Sequence, residues 1–182
     1  MGCGSQAVAD FPPPAGPAVS PALDARPEGR ITPGALPARR SPPGIVLDRR
    51  ARTLTTPAGR APAGVGPTQV VSDGGQLLYV TDTAGDGILV FHTRPKLELT
   101  RRVALPGGAP YAMALDTERN RLWVTLTRTN EVAELSAGAR PGVLRRYPAV
   151  RQPDAIAIDR GTGTVAVAGA GGLLQRFNRR NR

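Results

Sequence analysis

The chain has 182 residues and a formal net charge of +10, nearly all of it from arginine, since Lys96 is the only lysine. With 22 glycines, 19 prolines and only 4% aromatics it reads as a loop-rich β protein and excludes a helical bundle. The single cysteine, Cys3, excludes an internal disulfide, and no apolar run approaches the ~20 residues of a membrane-spanning helix.

Residues 1–43 come first, and their Pro-, Ala- and Arg-rich composition predicts a disordered or polyproline-like tether. From residue 44 the texture changes to short alternating apolar runs bounded by Gly, Asp, Asn and Pro, the mark of β-strands and tight turns. "GIVLD" and the stretch 52–56 read as the third and fourth strands of a half blade over 44–65. Pro67 then opens a repeat. Pro67, Pro110 and Pro153 are spaced by 43 residues, as are Asp73, Asp116 and Asp159, and as are Gly44, Gly87 and Asn130.

Each repeat predicts a four-stranded meander. Proline sets the chain before a strand of small and β-branched residues (69–72, 112–115, 155–158). Aspartate heads the next turn, where its oxygens can take backbone amides. A second strand (77–81, 122–125, 165–168), a third (88–91, 132–135, 173–177) and a more polar fourth (99–104, 144–147) complete the unit. A period of 40 to 50 residues with four strands predicts an all-β fold, a β-propeller. The divisions are 66–108 and 109–151 as blades and 152–182 as an incomplete one. That makes a little over three blades, short of a closed ring, and predicts a truncated or split propeller, a ring-completing homodimer or an open array.

"LLYVTD" followed by "DGILVFHT", and "RLWVT" followed by "NEVAELS", resemble the YVTN-type repeats, relatives of NHL and WD40-like blades. The resemblance covers roughly 44–178. It implies the propeller fold. At the N-terminus, Gly2-Cys3-Gly4-Ser5 resembles the end of a bacterial lipoprotein signal, which implies lipidation of Cys3 and an extracytoplasmic, membrane-anchored protein. The alternative is a cytoplasmic protein with a chance cysteine.

No catalytic set can be assembled. His92 ends a predicted third strand, away from the axis of a blade, and no other histidine can act as base. Asp82 and Asp86 in "TDTAGDG" lack the liganding pattern of a calcium loop, and Pro67, Pro110, Pro153, Asp73, Asp116 and Asp159 read as structural. No metal and no cofactor are expected. Trp123 reads as a packing residue. The arginines fall in pairs (Arg49-Arg50, Arg101-Arg102, Arg145-Arg146, Arg179-Arg180) without interleaved aromatics, so no specific nucleic-acid binding is expected. The expected function is a non-enzymatic binding or scaffold module of the cell envelope with an unknown protein or cell-wall ligand. Membrane contact would come only through Cys3. The alternatives are a fragment of a streptogramin-lyase-like or lactonase-like enzyme, or a basic binder of anionic polymers.

Overall fold

The computed structural model describes residues 13–23, 25–37 and 40–178, and every regular element in it is a strand. Cys3 and Arg179-Arg180 lie outside the described residues. In chain order the strands are β1 (Arg30–Pro33), β2 (Val46–Asp48), β3 (Thr53–Thr56) and β4 (Gly59–Pro62). β5 (Pro67–Ser72), β6 (Leu77–Asp82), β7 (Gly87–His92) and β8 (Glu98–Ala104) follow. Then come β9 (Pro110–Asp116), β10 (Arg121–Leu126), β11 (Glu131–Ser136) and β12 (Val143–Pro148). β13 (Pro153–Ile158), β14 (Val165–Gly169) and β15 (Leu173–Phe177) end the chain.

They form four antiparallel sheets. Blade I is β2-β3-β4, blade II β5-β6-β7-β8, blade III β9-β10-β11-β12 and blade IV β13-β14-β15-β1. β5, β9 and β13 lie side by side as the inner strands, so the blades radiate from an axis and the molecule is a β-propeller with an incomplete blade set. Blades II and III are apolar on both faces, because each packs against a neighbour on each side, and blades I and IV are apolar toward one neighbour. Leu54, Leu78, Val80 and Phe91 join blades I and II. Tyr79, Val90, Met113 and Val124 join II and III. Trp123, Tyr147, Ile156 and Phe177 join III and IV. Full burial of each such side chain contributes roughly 1.5–3 kcal/mol.

Three features depart from the sequence reading. First, Arg30–Pro33 is a strand, although 1–43 reads as tether. It pairs antiparallel with β15, Ile31 opposite Gln175, and supplies the outer strand that blade IV lacks in sequence. Its four residues carry no hydrophobic period of their own, so only the waiting edge of β15 makes them a strand. Four blades result, where the strand count predicts a little over three.

Second, the gap lies in blade I. β2 and β3 are its second and third strands, and β4 (Gly59–Pro62) is the fourth. Arg52, Asp86 and Asn130 all have positive φ (54°, 52° and 55°) directly before the third strand of their blades. The carbonyl of each accepts the amide at the end of the fourth strand (Ala63, Leu105 and Ala149) at 2.8 Å. Blade I therefore lacks an inner strand. On the axis side of this blade Gly34 donates to the Gly172 carbonyl at 2.8 Å, Leu36 and Pro37 lie near Thr68, and Pro42 lies beside β5. Pro37, Pro42 and Pro43 have no N–H to give a ladder.

Third, the structural repeat slips against the 43-residue one. The turn after Asp116 is one residue longer than that after Asp73, which shifts β10 and β11 by one position relative to β6 and β7. Asn130 is thereby the counterpart of Asp86, one residue before Gly87.

Candidate functional site

The proline spacing leads directly to the axis. Pro67, Pro110 and Pro153 each open an inner strand, opposite Asp82, Leu126 and Gly169. Directly after each proline the register shifts by one residue, so all three inner strands carry a β-bulge at the same place. A bulge re-aims side chains and breaks the ladder. The bulge residues Thr68, Tyr111 and Asp154 are again 43 apart, and all three line one open cavity of about 380 Å³ at the axis. Arg49, just past β2, and Leu36 and Pro37 complete its wall, so every blade contributes. Ala112 and Ile156 give it apolar patches.

The "YVT" motif has a part in holding this geometry. Thr81 Oγ1 accepts the Gln69 amide at 2.9 Å, and Thr125 Oγ1 accepts the Ala112 amide at 2.9 Å. Each hydroxyl thus serves an N–H within the bulge of its own blade. The third equivalent, Ala168, has no hydroxyl to offer. Thr68 Oγ1 also donates to the Tyr111 carbonyl at 2.9 Å, and the Gln69 side-chain amide bonds both the N–H (2.7 Å) and the C=O (3.1 Å) of Met113. Thr68 and Gln69 therefore lock blades II and III together at the axis, which leaves Arg49, Tyr111 and Asp154 as the groups available to a ligand.

Arg49 donates through one terminal nitrogen to the Ala15 carbonyl, while its buried Nε has no partner among the described residues. Asp154 is reached by solvent at the cavity mouth and forms no ion pair among the described residues. Burial by the surrounding wall pushes its carboxyl above the ordinary carboxylate range, partly offset by its own backbone amide.

The turn aspartates lie elsewhere. Asp73 Oδ1 accepts the amides of Gly75 (2.7 Å) and Leu77 (3.0 Å). Asp116 Oδ1 takes that of Arg119 (3.1 Å), and Asp159 Oδ1 that of Thr162 (3.1 Å). The Thr162 amide is the main reason the Asp159 carboxyl titrates below its usual range. Asp82 is fully buried. Its Oδ1 accepts the amides of Val65, Gly66 and Gly85, and its Oδ2 faces Arg102 at 3.3 Å. Asp86 accepts the amides of Gly107 and Ala109. These carboxylates hold loops together with lone pairs already occupied by N–H donors. His92 ends β7 opposite Leu77 and Glu98, away from the axial cavity. Trp123 packs with Tyr147 (ring centroids 5.5 Å apart) and Phe177 (6.1 Å). Beneath this cluster Glu134 accepts from the Tyr147 hydroxyl (2.7 Å) and pairs with Arg121 (3.1 Å).

Sequence reasoning missed Tyr111, Asp154 and Arg49. The signal for the first two was present: each follows a repeat proline by one residue. Arg49 carried no such mark, because its place depends on the blade to which its strand belongs.

No protein-family model and no curated protein matches the chain. Solved structures do. The chain is similar to a provisionally named 6-phosphogluconolactonase from Bacteroides uniformis, at TM-score 0.63 and 13% identity over 75% of this chain and 47% of that one. It is similar to the β-propeller domain of Cps50 (Swd1) from Myceliophthora thermophila, at TM-score 0.57 and 12% identity over 75% and 52%. It is also similar to virginiamycin B lyase from Staphylococcus aureus with quinupristin, at TM-score 0.50 and 13% identity over 85% and 61%. The chain spans between 47% and 61% of the length of these proteins. At such identities the likeness shows the fold: this chain is a β-propeller.

Proposed function

We propose that the chain is a non-enzymatic β-propeller binding module, with its ligand site in the axial cavity. One observation carries the reading. Three repeat-equivalent bulges aim Thr68, Tyr111 and Asp154 at one opening, whose wall also includes Arg49. Arg49 suits an anionic oxygen, and Tyr111 and Asp154 suit a hydroxyl or amine. The ligand is therefore a small anion that also carries hydrogen-bonding groups. A phosphorylated polyol from a cell-envelope polymer has that chemistry.

The lyase-like and lactonase-like alternative is less favoured, because the only histidine lies off the cavity and no base stands opposite Asp154. The reading includes membership of the YVTN-type propellers, carried by Tyr79-Val80-Thr81 and Trp123-Val124-Thr125, and lipidation at Cys3 in the cell envelope. The reading keeps the ring-completing homodimer, because β1 completes blade IV while blade I still has three strands.

Titration calorimetry with glycerol phosphate tests the site. Saturable binding that falls at least tenfold in Arg49→Gln supports it. Absence of binding by the folded protein, or equal binding by Arg49→Gln, removes it. Palmitate labelling that vanishes in Cys3→Ala tests the anchor separately.

A further inference from the structure

The N-terminal segment lies across the loops of blades III and IV, and it is held almost entirely by its main chain. Thr127 Oγ1 accepts the Ala18 amide at 3.0 Å. Asn130 Nδ2 donates to the Pro21 carbonyl at 3.2 Å, Gln152 Nε2 to the Pro17 carbonyl at 3.4 Å, and an Arg151 terminal nitrogen to the Ser20 carbonyl at 3.4 Å. None of these four bonds reads a side chain of the segment.

The seat is also pre-formed. Asn130 Oδ1 accepts the Gln152 amide at 2.8 Å, which fixes the direction of the Nδ2 donor. Asn130 and Gln152 both hold positive φ (55° and 49°), so the loops themselves present the two amides. Thr127 is anchored by its own bond to the Ala109 carbonyl at 3.0 Å. The carbonyls of Pro17 and Ser20 are three residues apart, the period of a polyproline II helix, so both face the seat. Proline-rich chain suits it for a second reason: its carbonyls have few local N–H groups to compete for them.

Ser20 supplies an independent observation. It is only 4% exposed, and its hydroxyl is buried without a partner among the described residues. The seat therefore takes a small side chain at this position and makes no use of the hydroxyl. Val19 is 85% exposed and unread.

We propose that Thr127, Asn130, Arg151 and Gln152 form a recognition site for an extended proline-rich polypeptide of the pattern Pro-x-x-small-Pro. Residues 17–21 fill it within the chain, and a partner protein carrying the same pattern fills it when that segment is displaced. The tethered segment competes at an effective concentration in the millimolar range. A partner peptide of micromolar affinity therefore occupies an emptied seat readily and an intact one only at high concentration. None of the four seat residues lines the axial cavity, although Arg49 of that cavity holds the Ala15 carbonyl of the same segment. Failure of the seat leaves the ligand proposal standing, because that proposal is tested by its own titration.

The test places a protease site at 22–25, between the seated segment and β1, and cuts the purified full chain. A fluorescent peptide of sequence PPAGPAVSPAL, residues 13–23, is then titrated into the cut protein. Saturable binding is expected, with at least tenfold loss in Asn130→Asp, which keeps the acceptor for Gln152 and turns the Pro21 donor into an acceptor. A Ser20→Ala peptide should bind at least as well as the natural one. A cut protein that keeps its thermal transition yet binds no peptide overturns the proposal, as does equal binding of a scrambled peptide. The uncut chain gives a second readout. Amide exchange at Ala18 should be slow in the natural chain and at least tenfold faster in Asn130→Asp, and an unchanged rate overturns the proposal as well.

Discussion

Blades II and IV are built on the same plan and differ at the positions that matter most. Both open with proline and a bulge. Opposite the proline, blade II has buried Asp82 and blade IV has Gly169. Opposite the bulge, blade II has Thr81 and blade IV has Ala168. Two residues earlier, blade II has Tyr79, which packs into the junction with blade III, and blade IV has Ala166. The difference teaches what the "YVTD" motif is for. Its aromatic fills the space toward the next blade, its threonine satisfies the bulge, and its aspartate gathers the loop amides. Blade IV has no apolar cluster on its far face among the described residues, and there the motif has decayed to small residues.

The comparison can be broken hardest at Asp82. Asp82→Ala strands three amides and Arg102, and should destabilise the fold by about 3–5 kcal/mol in urea unfolding. The reverse graft, Gly169→Asp, should not help blade IV, because a Cβ there would lie 2.4 Å from the Arg151 carbonyl oxygen. Thr81→Val keeps the shape and removes the bulge hydroxyl, at a cost of about 1–3 kcal/mol by the same measurement. Tyr79→Phe deletes the hydroxyl that accepts the Gly138 amide (2.8 Å) and donates to its carbonyl (3.1 Å). A loss of about 1–2 kcal/mol in thermal unfolding is expected.

Ala168→Thr sharpens the comparison from the other side. It gives blade IV its missing hydroxyl and should stabilise by about 0.5–1 kcal/mol if the bulge amide is the cause. Asp154→Asn is the smallest effect. The Asp154 carboxyl titrates higher in the folded state, so folding favours its protonated form, and stability from this group declines as pH rises through that raised value. Solvent at the cavity mouth screens the effect, so the variant should gain no more than about 0.5 kcal/mol at neutral pH. The gain should vanish in acid, below the ordinary carboxylate range, as followed by melting temperature against pH.

Much of this was legible in the residues. Proline, strand, aspartate turn and strand recur at 43 residues because each blade solves the same packing problem, and the turn aspartates accept local amides that any short loop would offer. The outer strand Arg30–Pro33 was not legible, because its partner lies at the other end of the chain and its own four residues carry no period. The order of strands in blade I was hidden for a related reason. Gly44 keeps the 43-residue interval to Gly87, while the conformational match is Arg52, Asp86 and Asn130. The axial cavity was half visible: Tyr111 and Asp154 stand in the right places, but a bulge is a three-dimensional event that only strand pairing reveals.

The seated N-terminal segment also sets a distance. If Cys3 carries the proposed lipid, the residues between it and Pro13 span at most roughly 35 Å, even fully extended. Under that proposal the loop side that holds residues 13–21 would be turned toward the lipid, and any partner reaching that side would have to fit between protein and membrane.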